Sequence, residues 1–389
     1  MYAQFSAQAV FAGVVAAFVG FFGSFAVVVQ GLRAAGATAE QAALGMLAVA
    51  VAAGLCGLTL SVRYRLPVAV AWSTPGAAFL VTIGNVNGGF PEAVGAFICA
   101  GIGFVLAGLW PPLARAVARI PRHIANAMLA GVLLALCVAP LEAIGDDPAT
   151  GLTVLVAWVA GGLWHRLAAV PAALLAYVAI VWFQRAADTA EVMVWSMSFE
   201  FVEPVFSADA ILGIGVPLFL ITMASQNVAG AAVISSFGFP TQRAGRWIAT
   251  SGIFTLLSAP LGGHAVNLAA LTAAICAGED AHPDPDRRYW AGISNGIALA
   301  IMGLGSGVLI GFVALGPVIL IKAVAGLALI GAFSGAAFAA FEQPAERGSA
   351  AVTFLFAASG ISLLGISGAF WGLLAGVAID WLETRKRAR

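Results

Sequence analysis

The chain has 389 residues, 61% of them hydrophobic and 9% charged, with a mean hydropathy of +1.00 and a net charge of zero. Soluble domains carry roughly a quarter charged residues, so a soluble fold is excluded, and a neutral chain leaves no electrostatic footprint for nucleic acid. What remains is an all-α polytopic protein whose solvent is the lipid bilayer.

A helix crossing the hydrocarbon core needs about 20 apolar residues. Such runs fall at about 7–30, 41–62, 67–84, 92–110, 123–144, 150–165, 168–184, 210–232, 244–258, 260–278, 289–314, 317–341, 349–366 and 367–384, about fourteen segments. The first charge is Arg33 and the first run is too long for a signal-peptide core, so no cleavable signal is expected. The third run, Pro67–Gly84, is interrupted: Ser73 and Thr74 precede Pro75 and Gly76, so Thr74 is expected to cap a short helix with proline at its first position. Pro111–Arg122 places Arg115, Arg119 and Arg122 at i, i+4 and i+7, which fits either a short amphipathic helix on the membrane surface or a solvated loop. The connection from Arg185 to Asp209 is the longest polar-leaning stretch and leaves seven segments on each side. An odd number per half makes the second half enter from the opposite face, an inverted 7+7 repeat. Phe18–Gln30 and Leu220–Ile234 occupy matching places in the two halves.

The tenth run, Leu261–Gly278, is interrupted as well. It opens with Gly262, Gly263, His264 and Asn267 and is uniformly apolar only from Leu268. An extended approach followed by a half-helix from Leu268, capped by Asn267, is expected. Two broken spans at corresponding places are the best sequence pointer to a transporter site, because half-helix N-termini attract anions at mid-membrane. With both termini cytoplasmic, fifteen of the eighteen basic residues fall on the inner side, which obeys the positive-inside rule.

The broken segments, and the first and eighth runs, carry no Asp, Glu, Lys or Arg. A carboxylate-built cation site is therefore not expected, and a neutral polar site for a small organic anion or a neutral solute is. His264 reads either as a histidine satisfied by neighbouring carbonyls or as a proton acceptor, since imidazole titrates near physiological pH. Gln226 and Asn227 sit in mid-span, as site groups or as glue between helices. Ser24 holds the comparable place in the first run, and Phe22, Phe25 and Trp72 offer an aromatic wall. The four cysteines lack metal spacing and read as packing residues. The glycines from Gly303 to Gly311 lie in no strand–loop–helix unit and read as helix packing. No nucleophile–base pair, phosphate loop or metal set is present in the sequence, so an enzyme, a cofactor and a metal are all unexpected.

The motifs AWSTPGAAFL (Ala71–Leu80), ITMASQNVAGAAVI (Ile221–Ile234) and GGHAVNLAALTAAICAG (Gly262–Gly278), followed by HPDPDRRYWAG (His282–Gly292), closely resemble the benzoate:proton symporter family, the BenE type. More distantly, the order of segments resembles the uracil and nucleobase–ascorbate transporters and the sulfate permeases. That resemblance implies a uracil-transporter-like (UraA-like) fold. Its core domain would be built from residues 1–110 and 210–316. A gate domain would use 111–184 and 317–389, with a basic cytoplasmic tail and a periplasmic linker at 185–209. The third and tenth segments would each be a short strand plus a half-helix, and the assembly a homodimer through the gate. The glutamate that uracil-type transporters place on segment eight corresponds to Gln226, which cannot titrate, and their segment-ten glutamate has no counterpart near Ala269–Thr272. The implied activity is import of benzoate, or a similar small aromatic carboxylate, with a proton across a bacterial inner membrane. The carboxylate is expected at the helix starts near Thr74–Gly76 and Asn267–Ala269. Ser24, Ser73, Gln226, Asn227 and His264 would donate hydrogen bonds, Phe22, Phe25 and Trp72 would flank the ring, and His264 is the proton-coupling candidate. An anion exchanger or channel on the same scaffold, and a carrier of a neutral nucleobase-like solute, are the alternatives.

Overall fold

The computed structural model describes residues 5–83, 88–165, 168–185, 199–307, 316–363 and 366–387. Long apolar helices dominate. They are α1 (Ala7–Ala34), α2 (Ala39–Tyr64), α3 (Thr74–Thr82), α4 (Phe90–Leu109), α5 (Pro111–Ala118), α6 (Arg122–Asp146), α7 (Pro148–Trp164) and α8 (Ala169–Arg185). After the mid-chain connection come α9 (Ala208–Ser236), α10 (Ala244–Ser258), α11 (Ala270–Ala277), α12 (Tyr289–Leu304), α13 (Val318–Phe341), α14 (Arg347–Ala358) and α15 (Gly368–Arg387). Six helices among the described residues, α1, α2, α4, α6, α9 and α13, are long and apolar enough to cross a membrane.

Local sequence explains where several helices start. Ser6 caps α1 by accepting from the amide of Ala9, and Thr38 and Gln41 close a reciprocal capping box on α2. Pro111–Ala118 is helical, the amphipathic option of the two, with Arg115 exposed. Two features depart from the sequence expectation. The run 349–366 is not one span: α14 stops at Ala358, Gly360 takes a left-handed φ of 65°, and a two-stranded ladder follows, β3 (Ser362–Leu363) with β4 (Ile366–Ser367). A left-handed residue cannot continue a right-handed helix, and glycine adopts that conformation without steric penalty. The run 289–314 is helical over Tyr289–Leu304, turns at Gly305 and is helical again at Ser306 and Gly307; residues 308–315 lie outside the described residues. Of the mid-chain linker, 199–207 is described; it is hydrogen-bonded through Val202 N to Pro260 O (2.8 Å) and Val205 N to Pro91 O (3.0 Å).

The helices sort by their packing partners. Helix α6 packs on α13, α14 and α15, α7 packs on α8, and α13 also touches α7 and α8. In the second set α2 packs on α12, α4 on α10, and α1 on α12, α3 and α11; the two sets meet where α1 touches α13 and α3 touches α6. Two crossings are close because glycine faces glycine. A methyl group on Gly54 or Gly296 would run into the other's carbonyl oxygen, and the same holds for Gly108 and Gly245. Small residues allow such approach in lipid, where dispersion contacts replace the hydrophobic effect as the packing force.

At one end of the α6 group, His123 is buried at 6% exposure between two carboxylates. Its Nδ1 lies 3.0 Å from Glu346 Oε2 and its Nε2 3.2 Å from Asp380 Oδ1, with Ser349 Oγ also at 3.2 Å. One imidazole thereby ties the start of α6 to α14, its preceding turn and α15.

Gly54→Leu places a side chain where the Gly296 carbonyl stands. It is expected to lower stability by about 1–3 kcal/mol, the usual cost of overpacking, read as a lower thermal midpoint in detergent. Gly331→Ala, where a Cβ meets nothing within 4 Å, serves as the control with an unchanged midpoint.

Candidate functional site

The two interrupted runs meet as strands. β1 (Val70–Trp72) pairs antiparallel with β2 (Val266–Leu268) in the register Val70↔Leu268, Ala71↔Asn267 and Trp72↔Val266. Two further bonds extend the ladder, Ser73 N to Ala265 O (3.1 Å) and Ala269 N to Ala69 O (3.1 Å). Each strand hands over to a short helix, β1 to α3 and β2 to α11, so the chain crosses this depth as strand plus half-helix in both halves. Gly262, at φ 89°, supplies the turn that lets the chain leave the single-turn 3₁₀ helix Ala259–Leu261 and enter the strand.

Ser73 is the node of the site. It is fully buried, caps α3 by accepting from Gly76 N at 3.0 Å, and accepts from Thr222 Oγ1 of α9 at 2.7 Å. The expected cap, Thr74, is instead the first helical residue and is half-buried. Either hydroxyl places Pro75 in the first turn, and the backbone conformation of Ser73, φ −79° and ψ 93°, decides for the earlier one. Gly76 has no room for a side chain, because a Cβ there would stand 2.5 Å from Leu218 Cδ1.

His264 is fully buried, with Nε2 3.0 Å from Ser73 O. A carbonyl only accepts, so Nε2 carries the proton and donates, which leaves Nδ1 as a buried lone pair with no partner among the described residues. The ring of Phe97 stands edge-on at 6.4 Å. The histidine is thus satisfied by a carbonyl on one nitrogen and has no partner among the described residues on the other.

Asn267 does not cap α11. It lies within β2, and its Nδ2 donates to the adjacent Leu268 O at 2.8 Å, while its Oδ1 is buried with no partner among the described residues. The half-helix begins at Ala270 rather than Leu268, and its N-cap, Ala269, has no side chain able to accept. The amides of Ala270, Leu271 and Thr272 therefore start α11 with no intrahelical acceptor and no side-chain cap.

The remaining residues divide by what they touch. Trp72 Nε1 donates to Ser24 Oγ at 2.9 Å, and Ser24 donates to Gly20 O at 2.9 Å, which ties β1 to α1. Asn227 is fully buried; its Oδ1 accepts from Leu268 N at 3.0 Å and its Nδ2 lies 3.4 Å from Met223 Sδ. Ser24, Trp72, Ser73 and Asn227 are all engaged in holding the strands. Gln226, Thr74 and Phe22 are half-buried and stay available. The aromatic neighbour of Trp72 is Phe21, edge-on at 5.6 Å, with Phe25 stacked on Phe21 at 5.7 Å; Phe22 turns toward Phe18.

Four contributors escaped the sequence reading: Phe21, Thr222, Thr255 and Thr272. Thr255 Oγ1 accepts from Val266 N at 2.9 Å, the edge of β2 that faces away from β1. Thr272, in the first turn of α11, has a buried hydroxyl with no partner among the described residues. The available signal was spacing: Phe21, Ser24 and Phe25 share one helix face at i, i+3 and i+4, and Thr222 precedes Gln226 by one turn.

Two strand–half-helix breaks paired antiparallel inside a bundle of apolar helices define a membrane transport protein of the broken-helix kind. The family model described as benzoate membrane transport protein matches residues 3–382, and the chain belongs to that family. It is 38% identical over 380 residues to the inner membrane protein YdcO of Escherichia coli (strain K12), covering 97% of each chain. It is 30% identical over 385 residues to the benzoate membrane transport protein of Acinetobacter baylyi, covering 99% of this chain and 97% of the relative. Among solved structures the fold is similar to the transmembrane domain of a cyanobacterial bicarbonate transporter, BicA, with a TM-score of 0.61 at 18% identity and coverage of 97% and 96%. It is likewise similar to SLC26A9, with a TM-score of 0.62 at 13% identity, covering 95% of this chain and 65% of that one.

Asn227→Leu strands the buried Leu268 amide and is expected to lower stability by about 1–3 kcal/mol, the cost of leaving such a group unsatisfied. Asn227→Asp keeps an oxygen acceptor and is expected to retain more of the wild-type thermal midpoint than the leucine variant.

Proposed function

We propose that the protein is a secondary transporter of the bacterial inner membrane that imports benzoate, or a similar small aromatic carboxylate, together with a proton. The observation that carries this reading is the pairing of two broken spans with an uncapped half-helix start at α11, in a chain of the benzoate membrane transport family. An uncapped start presents amides and the positive end of the helix dipole to an anion. No basic side chain stands in either broken segment to compete for that role. The carboxylate sits at the amides of Ala270–Thr272 and the first turn of α3. Thr74 and Gln226 donate to it, and Phe22 lies along the ring.

The inverted 7+7 repeat of fourteen spans, with both termini cytoplasmic, belongs to the same proposal. Antiparallel β1 and β2 lie where a two-fold axis would pass. The glycine-to-glycine crossings α2–α12 and α4–α10 are the pair that such an axis would exchange. In this reading the core domain is α1–α4 with α9–α12 and the gate domain α6–α8 with α13–α15, supported by the packing of α2 on α12, α4 on α10 and α6 on α13–α15. Transport is then movement of the core against the gate around a fixed site. His264 carries the proton on Nδ1, which has no partner among the described residues.

A second reading has its own support. The broken segments hold no carboxylate to bind a coupling proton, and the fold is shared with the bicarbonate transporter BicA and with SLC26A9. Anion exchange on this scaffold predicts uptake that ignores an imposed pH gradient.

Radiolabelled benzoate uptake into proteoliposomes is expected to rise when the outer solution is acidified relative to the lumen; uptake indifferent to the gradient rejects proton coupling. Gln226→Ala is expected to raise KM about tenfold, the loss of one hydrogen bond to a charged group. His264→Gln keeps a donor for Ser73 O and is expected to abolish acceleration by the gradient while benzoate exchange persists. Gradient-driven uptake that survives in this variant removes the histidine from the proton path.

A further inference from the structure

One cavity lies away from the paired strands. It measures about 600 Å³ and forms where the C-terminal part of α1, the start of α2 and Val81 of α3 meet the start of α13. Small-molecule sites commonly span about 300–1,000 Å³. Gln30, Arg33 and Lys322 are its polar lining, and Val29, Val81 and Ile321 are among its apolar lining. No carboxylate lines it, and neither cation forms an ion pair among the described residues. The neighbouring stretches 84–87 and 308–315 contain no acidic residue.

Lys322 is the informative group. It is half-buried within the first two turns of α13, one of the helices able to cross a membrane. A lysine at such a place requires a water-filled space or an anionic partner. Here it has the space, and no carboxylate lines that space among the described residues.

Helix phase connects this cavity to the candidate site. Seven residues of α-helix return to nearly the same face after a rise of about 10 Å. Val29 follows Phe22 by seven and Arg33 follows it by eleven, so these three lie on one stripe of α1, and Gln30 follows Gly23 by seven on the adjoining stripe, about 100° round the helix. At Gly23 a Cβ would meet nothing within 4 Å, so the adjoining stripe is open at its inner end.

We propose that this cavity is a capture site for the carboxylate of an incoming aromatic acid. Lys322 and Arg33 hold the carboxylate, Gln30 adds an amide donor, Val29, Val81 and Ile321 take the ring, and the two stripes of α1 lead inward to Phe22 and Gly23. The identity of the acid, and the outward orientation of the cavity, rest on the function proposed above; the positive potential of the cavity does not. The competing account is that Lys322 lays its stem along apolar surface and pairs with a lipid phosphate.

Two measurements test this. In a cysteine-free background in detergent, Ala34→Cys, on the cavity wall, is modified with an anionic and with a neutral methanethiosulfonate. The anionic reagent is expected to react several-fold faster, as a cationic cleft concentrates anions. Lys322→Gln should reduce that ratio about fivefold, and Lys322→Arg should preserve it. A ratio that Lys322→Gln leaves unchanged overturns the proposal; Val81→Cys replaces Ala34→Cys should the latter not fold. In proteoliposomes, Lys322→Gln is expected to raise the KM for benzoate about tenfold while Vmax falls less than twofold. A fall in Vmax at constant KM overturns the proposal, and so does a KM effect that appears only with anionic lipid present. A wild-type protein that takes up no aromatic acid but keeps the anion preference and its dependence on Lys322 defeats the substrate assignment and leaves the cavity standing.

Discussion

Six residues hydrogen-bonded across two strands hold the centre of this protein together. Inside a bilayer every backbone amide needs a partner, because an unsatisfied one costs several kcal/mol. A chain that breaks its helix at mid-depth must therefore supply other partners. β1 and β2 supply each other, and side chains close the exposed edges of the pair. Thr255 takes the amide of Val266, Asn227 takes that of Leu268, and Ser61 donates to Val68 O at 3.1 Å. Most polar residues of the region are thus spent on the backbone of the break. The start of α11, the Thr272 hydroxyl, His264 Nδ1 and Asn267 Oδ1 are left without a partner among the described residues, and with Thr74 and Gln226 they are the groups we propose for the solute.

The surrounding bundle serves that arrangement by coming close. Glycine-to-glycine crossings bring α2 to α12 and α4 to α10 at carbonyl contact, and Gly31 and Gly230 admit the backbones of α3 and β2 in the same way. The α6 group is held differently, with His123 clasped between Glu346 and Asp380 at one end. Close apolar packing fixes one set of helices, and a titratable cluster ties the other at its rim.

Much of this was legible in the sequence because punctuation residues are visible there. Pro75–Gly76 and Gly262–Gly263 marked the two breaks, and the alternation to apolar residues marked the half-helices. The details of each break were not. Ser73 and Thr74 are adjacent hydroxyls that both suit Pro75, and only the backbone conformation separates them. Asn267 reads as a helix cap by type, yet strand register puts it opposite Ala71 and its amide folds onto the next carbonyl. Phe21 and Phe22 are the same residue type, so only helix phase decides that Phe21 is the one that meets Trp72. The His123 cluster joins residues more than two hundred positions apart, and no local pattern announces it. The family resemblance, carried by three motifs, agrees with a family match over nearly the whole chain.

Helix α9 contains two wide turns. Val216 N bonds back five residues to Ile211 O, and Val228 N likewise to Met223 O. Each such turn absorbs one extra residue and rotates everything beyond it by about 100° relative to a regular helix. The first half of α9 consequently addresses α4 and α3, and the second half addresses β2 and α11. A single rod thereby keeps two faces in service that an ideal helix would hold out of step. Gln226 and Asn227 both fall inside the second wide turn, Asn227 fully buried against β2 and Gln226 half-buried beside it.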